Sequence, residues 1–145
     1  MSLDMDLFKV NKKVENTKEL NDIIIFHNFK GTSPKTEEVD KDIEKKERVF
    51  DKYKGQNIQI NQLKHWKEFY FLDSLFEVVY ERNNPERSKY GFRTVVKEKD
   101  IKEIIEKLED YDSFKKDVGN TINFFKKLCD DFNFEKETLY YVSSQ

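Results

Sequence analysis

Catalysis and metal binding need particular side chains at particular spacings, and this chain of 145 residues offers few of them. Its histidines are His27 and His65, and its single cysteine is Cys129. The histidines lie far apart in sequence, and neither has a second ligand at helical or hairpin spacing. A zinc centre needs three or four His, Cys or carboxylate ligands in a tetrahedral array, so no metal site is read, and nothing marks a cofactor. Cys129 would act as a nucleophile only with a histidine base in reach. It falls instead on the apolar stripe of a C-terminal helix, where free cysteine packs as a small hydrophobe. His65, beside Trp66, reads as a boundary histidine. There is no G-x-S-x-G turn and no glycine-rich phosphate loop. Carboxylates alternate with basic residues, as in Glu44-Lys45-Lys46-Glu47-Arg48 and Glu98-Lys99-Asp100. Such runs are solvated helix faces with local ion pairs, not acid–base dyads. No catalytic residue is assigned, and an enzyme is not the expected class.

One segment interleaves cations with rings. Arg82, Arg87, Lys89 and Arg93 flank Tyr90 and Phe92. On a strand, that pattern lets cations hold phosphates while rings stack bases, as in single-stranded nucleic-acid binding. These six residues are the candidate contact set, for nucleic acid or for a protein partner. Glu81 and Glu86 dilute the charge, and the net charge of −2 gives no global attraction to nucleic acid or an anionic membrane. Nucleic acid is therefore the second choice, and a turn followed by an ordinary strand is the plain alternative.

The elements that would position these residues follow from periodicity. Leu3, Met5 and Leu7 alternate with Asp4 and Asp6, which predicts a strand over 3–10. Residues 15–29 predict a short helix, closed by Gly31, with Ser33-Pro34 capping the next one. That next helix, 36–54, is highly charged and carries a thin stripe of Val39, Ile43, Phe50 and Tyr53, so it belongs on the outside. Residues 61–80 are apolar over most of a helical circumference and predict a central buried helix, which must stop before Pro85. A second strand follows at 90–96, rich in residues of high β-propensity. Two amphipathic helices come next, at 100–109 and 112–132. Gly119 sits inside the second and costs about 1 kcal/mol against Ala, so a close backbone contact is expected there. A third strand at 139–143 closes the chain, and pairing it with the first would tie down both ends. The expectation is one α+β domain over 1–145: a small, mostly antiparallel three-stranded sheet covered by about five helices.

Composition narrows the class. Aromatics reach 14%, with thirteen Phe and seven Tyr, enough to build a core despite 39% charged residues. One cysteine excludes an internal disulfide framework and agrees with a reducing compartment. The first residues lack the basic-then-apolar order of a signal peptide, and no apolar run is long enough to span a membrane. A cytoplasmic location is expected.

The opening Met1-Ser2-Leu3-Asp4-Met5-x-Leu7 resembles that of a family of small uncharacterised proteins found in bacteriophage and prophage genomes. His65-Trp66-Lys67-Glu68 is similar to the family's Tyr-Trp-Arg-Lys helix motif. Asp131-Phe132 followed by Tyr140-Tyr141-Val142-Ser143-Ser144-Gln145 resembles its ending, with Gln145 in place of the final Trp. The resemblance covers both ends and the 61–80 segment and implies a phage origin and host-cell cytoplasm. It names no activity. The expected function is then an accessory protein that binds and modulates a host protein, including an anti-defence, anti-CRISPR-like inhibitor acting by stoichiometric binding. The alternative is a single-stranded nucleic-acid module built on 82–93.

Overall fold

In a computed structural model, which describes residues 2–28, 40–84, 91–111 and 116–145, the chain folds as an α+β protein. Four strands form one antiparallel sheet: β1 (Asp4–Val10), β2 (Ile60–Lys67), β3 (Gly91–Val96) and β4 (Thr138–Ser144), in the order β2-β1-β4-β3. Among the described residues five helices accompany them: α1 (Thr17–Asn28), α2 (Asp40–Tyr53), α3 (Tyr70–Asn83), α4 (Glu98–Asp110) and α5 (Lys116–Asp131). The terminal strands pair at the centre of the sheet, from Asp4 opposite Ser144 to Val10 opposite Thr138.

Side chains alternate across a strand, and here they feed two cores. Leu3, Met5, Leu7, Trp66, Val96, Leu139 and Tyr141 meet α3, α4 and α5 on one face. Val10, Val95 and Tyr140 meet α1, α2 and Ile58 on the other. The first core is built on rings. Phe76 stacks on Tyr141 at 3.9 Å and meets Phe125 edge-on at 6.1 Å. In the second, Phe8 stacks on Tyr140 across the β1–β4 pair at 5.0 Å. The α1–α2 layer covers only the Val10 end of its face. The Asp4 end is left to Asp4, Asp6, Gln62, His65 and Lys67, all partly or fully exposed.

The sheet has four strands rather than three, because 60–67 is a strand and not the first half of a central helix. A β-bulge explains the misleading pattern. The β1–β2 register slips between Leu7 and Phe8, so that Leu7 faces Lys64 and Phe8 faces Gln62, leaving Leu63 as the extra residue. A bulge breaks the two-residue alternation, and Ile60, Leu63 and Trp66 then recur every three residues, as on a helix. The true helix, α3, starts after Glu68, which takes a left-handed φ of 55°.

Smaller corrections follow the same logic of burial. Among the described side chains of α2, Val49 and Tyr53 turn inward while Phe50 is 40% exposed, and Val39 and the Ile43 side chain lie outside the described residues. A Cβ on Gly119 would meet open space, so no close backbone contact compensates that glycine. Gly91 is the glycine the fold requires: φ is +126°, and a Cβ there would overlap the Ser143 carbonyl oxygen across the β3–β4 pair. The 33–34 cap and the 36–39 start of the second helix lie outside the described residues, as do residues 112–115 of the last helix.

Burial in the second core has a measurable consequence. It pushes the Tyr140 phenol up to about 12 from an ordinary 10, with Arg93 working against it. Below pH 10 the phenol is protonated in both folded and unfolded chains. Between 10 and 12 the unfolded chain loses its proton first, so the folded state binds more protons and stability falls as pH rises. Denaturant titrations from pH 9 to 12 should show wild type losing about 2–3 kcal/mol relative to Tyr140→Phe across that window. Equal slopes for the two proteins would contradict the assignment.

Candidate functional site

The candidate contact set of 82–93 divides in the structure. Arg87, Lys89 and Tyr90 lie outside the described residues. Arg82 ends α3, where its guanidinium hydrogen-bonds to Glu103 and lies 3.7 Å from Asp100. That bond lowers the Glu103 carboxyl and raises the guanidinium. Arg82 thus ties α3 to α4. Phe92 turns into the first core, stacking on Tyr80 at 5.1 Å and tilting against Tyr141 at 5.5 Å. Arg93, next along β3, points to the opposite face and donates to Asn21 Oδ1 on α1 at 3.0 Å. Phe92 and Arg93 therefore serve different faces, and each described member of the set contacts the protein's own side chains.

Cys129 is half-buried against the first core. Burial, reinforced by Glu98, pushes its thiol up, which disfavours the nucleophilic thiolate. Among the described residues no group of three metal-ligating side chains gathers, and no helix is long and apolar enough to cross a membrane.

A broad concavity lies elsewhere, along β2. It holds about 690 Å³ and is walled by residues 64–70 on one side and by Asp117, Val118, Asn120 and Thr121 of α5 on the other, with Tyr111. Successive strand residues point to opposite faces, yet 64, 65, 66 and 67 all line it. The groove therefore runs along the outer edge of β2, the edge that β1 does not occupy. One hydrogen bond sets its width: Trp66 Nε1 donates to Thr121 Oγ1 at 3.1 Å, fastening the strand to α5. Phe124 and Phe125 pack around the indole at 6.1 and 5.7 Å. The Lys64 ammonium sits over the Phe124 ring, 5.8 Å from its centre. Tyr70, at the start of α3, is 58% exposed, the most of any large apolar side chain described. Phe69, the residue before α3, caps the helix with no side-chain hydrogen bond.

The strand's backbone adds directional groups. Glu68 N–H donates to Leu3 C=O at 2.9 Å. Antiparallel partners alternate between hydrogen-bonded and non-bonded pairs. Trp66 and Lys64 therefore also turn their amides toward β1, and the N–H and C=O of His65 and Lys67 face the groove. Neither residue's backbone has a backbone partner outside the sheet among the described residues.

His65 also carries the densest cluster of ionisable groups on the open face. Its Nδ1–H donates to Asp6 Oδ1 at 2.7 Å, its Nε2 lies 3.7 Å from Asp4 Oδ1, and Gln62 Nε2 donates to Asp6. All three ionisable side chains are partly exposed, so this cross-strand pairing contributes little to stability, about 0–1 kcal/mol. It fixes the imidazole over Asp4 and Asp6 of β1, at the margin of the groove.

Sequence reasoning missed the groove because its strand wall was assigned to a buried helix. The available signal was composition: Lys64, His65, Lys67 and Glu68 crowd the segment with charge, which a helix buried all round would not carry. Compared with known proteins, the chain matches no family model, no curated protein and no solved structure. Function therefore rests on the geometry.

Proposed function

We propose that this chain is an interaction protein: a phage-encoded accessory factor that works in the host cytoplasm by binding a host protein stoichiometrically and altering its action, a defence component such as a CRISPR effector being the target class. The observation that carries the reading is the groove along β2. Its volume of about 690 Å³ lies in the range of specific binding sites. It presents an exposed tyrosine, basic side chains and outward backbone groups, which are contact chemistry. The resemblance of both chain ends to phage proteins supplies the biological setting.

The test is affinity capture from host lysate with four immobilised proteins. Wild type should retain a host protein at about 1:1. Tyr70→Ala and Lys67→Glu, both in the groove wall, should each reduce retention about tenfold, as expected when ~1.4 kcal/mol of binding energy is lost. Phe50→Ala, on α2, should leave it unchanged. Failure of wild type to retain any protein, together with no effect of its expression on phage plaquing in defended cells, would overturn the reading.

A further inference from the structure

We propose that the outer edge of β2 is a docking line for an extended segment of a partner protein with alternating acidic and apolar residues, which adds to the sheet as a fifth strand. This rests on the reading of the chain as a binding protein and specifies how the partner is held.

Three observations converge. The first is directional. The His65 and Lys67 backbone groups face the groove, as the Glu68–Leu3 bond and the register require. An added strand satisfies such groups by main-chain hydrogen bonding, with side-chain pockets supplying specificity. The second is the wall. On the face shared with α5, the added strand's side chains would sit beside Trp66 and meet Val118 and Tyr111, so alternate positions must be apolar.

The third is charge. On the opposite face β1 sets Asp4 beside Lys67 and Asp6 beside His65. A fifth strand carrying acids there would place Lys67 and His65 each between two carboxylates, the favourable order for cross-strand pairs. Neither Lys67 nor Lys64 has an ion pair among the described residues, and the Lys64 ammonium lies over the Phe124 ring. Of the acidic residues of the lining, Glu68 follows the end of the strand and Asp117 lies in the first turn of α5. The same charges argue against a second copy. Two β2 edges paired about a two-fold axis through Trp66 would set His65 of each copy against Lys67 of the other, and like charges directly opposite are destabilising.

The test uses the full chain and two capped synthetic decapeptides, one alternating glutamate with valine and one alternating lysine with valine. Calorimetric titration should show the acidic peptide binding at least about tenfold more tightly than the basic one. At saturation, amide exchange at His65 and Lys67 should slow by about tenfold or more. Lys67→Pro removes only an outward N–H, a change that edge strands tolerate, and should abolish binding. If that variant fails to fold, Lys67→Glu serves in its place and should reverse the preference between the two peptides. Equal binding of the two peptides, or no exchange protection at His65 and Lys67, would overturn strand addition. If a captured host protein were still lost with Tyr70→Ala, the broader reading would stand while this mode of holding it fell.

Discussion

Phe76→Ala should cost about 3–5 kcal/mol, the range for removing a fully buried aromatic ring. Phe76 is fully buried, stacks on Tyr141 and meets Phe125 edge-on, so it joins the sheet to both α3 and α5. Little can collapse into the space it leaves, because its neighbours are strand and helix residues fixed by their own pairing. For a domain of ordinary stability, about 5–15 kcal/mol, this is a large share. Thermal melts should fall by roughly 10–15 °C. Phe50→Ala is the matched control. Phe50 is 40% exposed on α2, and its removal should cost less than about 1 kcal/mol. Equal costs for the two would mean that the first core is not centred where the structure has it.

Tyr141→Phe should be the next most damaging change for its size. Only an oxygen is lost, yet that hydroxyl donates to the carboxylate of Asp73, which is buried on α3 with 7% exposure. A carboxylate left without its donor pays the desolvation cost of a buried charge, so the expected loss is about 2–3 kcal/mol. The start of α3 offers partial compensation, since a negative charge in the first turn of a helix is favoured by its dipole. Asp73→Ala should also destabilise, by leaving the hydroxyl unpaired in the same apolar setting. The double variant should be less harmed than the sum of the two single changes, with a coupling of about 1–2 kcal/mol in denaturant titrations. Additive losses would show that the hydroxyl and the carboxylate act independently.

These two side chains also show what was legible in the sequence. The β1 alternation of Leu3, Met5 and Leu7 and the terminal run of Tyr140, Tyr141 and Val142 announced two strands, and their pairing follows from the need to tie down both ends. Helix α4 was plain from Ile101, Ile104, Ile105 and Leu108 at helical spacing, although it begins two residues earlier, at Glu98, with Asp100 accepting from the Lys97 N–H. What could not be read was the consequence of one inserted residue. Leu63 turns a period of two into an apparent period of three, and so hides a strand inside a helical pattern. Asp73 was hidden as well, because a lone acid in an apolar segment carries no mark of a tyrosine 68 residues away.

The groove was further from view. Its walls come from β2, the start of α3, Tyr111 and α5, and no local pattern brings those segments together. The set that local pattern did favour, 82–93, was chosen by charge and ring content alone. Burial redirects its described members: Arg82 to Glu103, Phe92 to Tyr80, Arg93 to Asn21. Interleaved cations and rings are a property of sequence, whereas an accessible face is a property of the packed sheet.

Hydrogen–deuterium exchange on the complex with the captured host protein is the most direct measurement of the central claim. Partner binding should slow exchange in residues 64–70 and 117–121, the two walls of the groove, and leave α1 and the exposed face of α4 as they are in the free protein. Protection confined to α1, α2 or α4, with the walls of the groove exchanging as before, would contradict it.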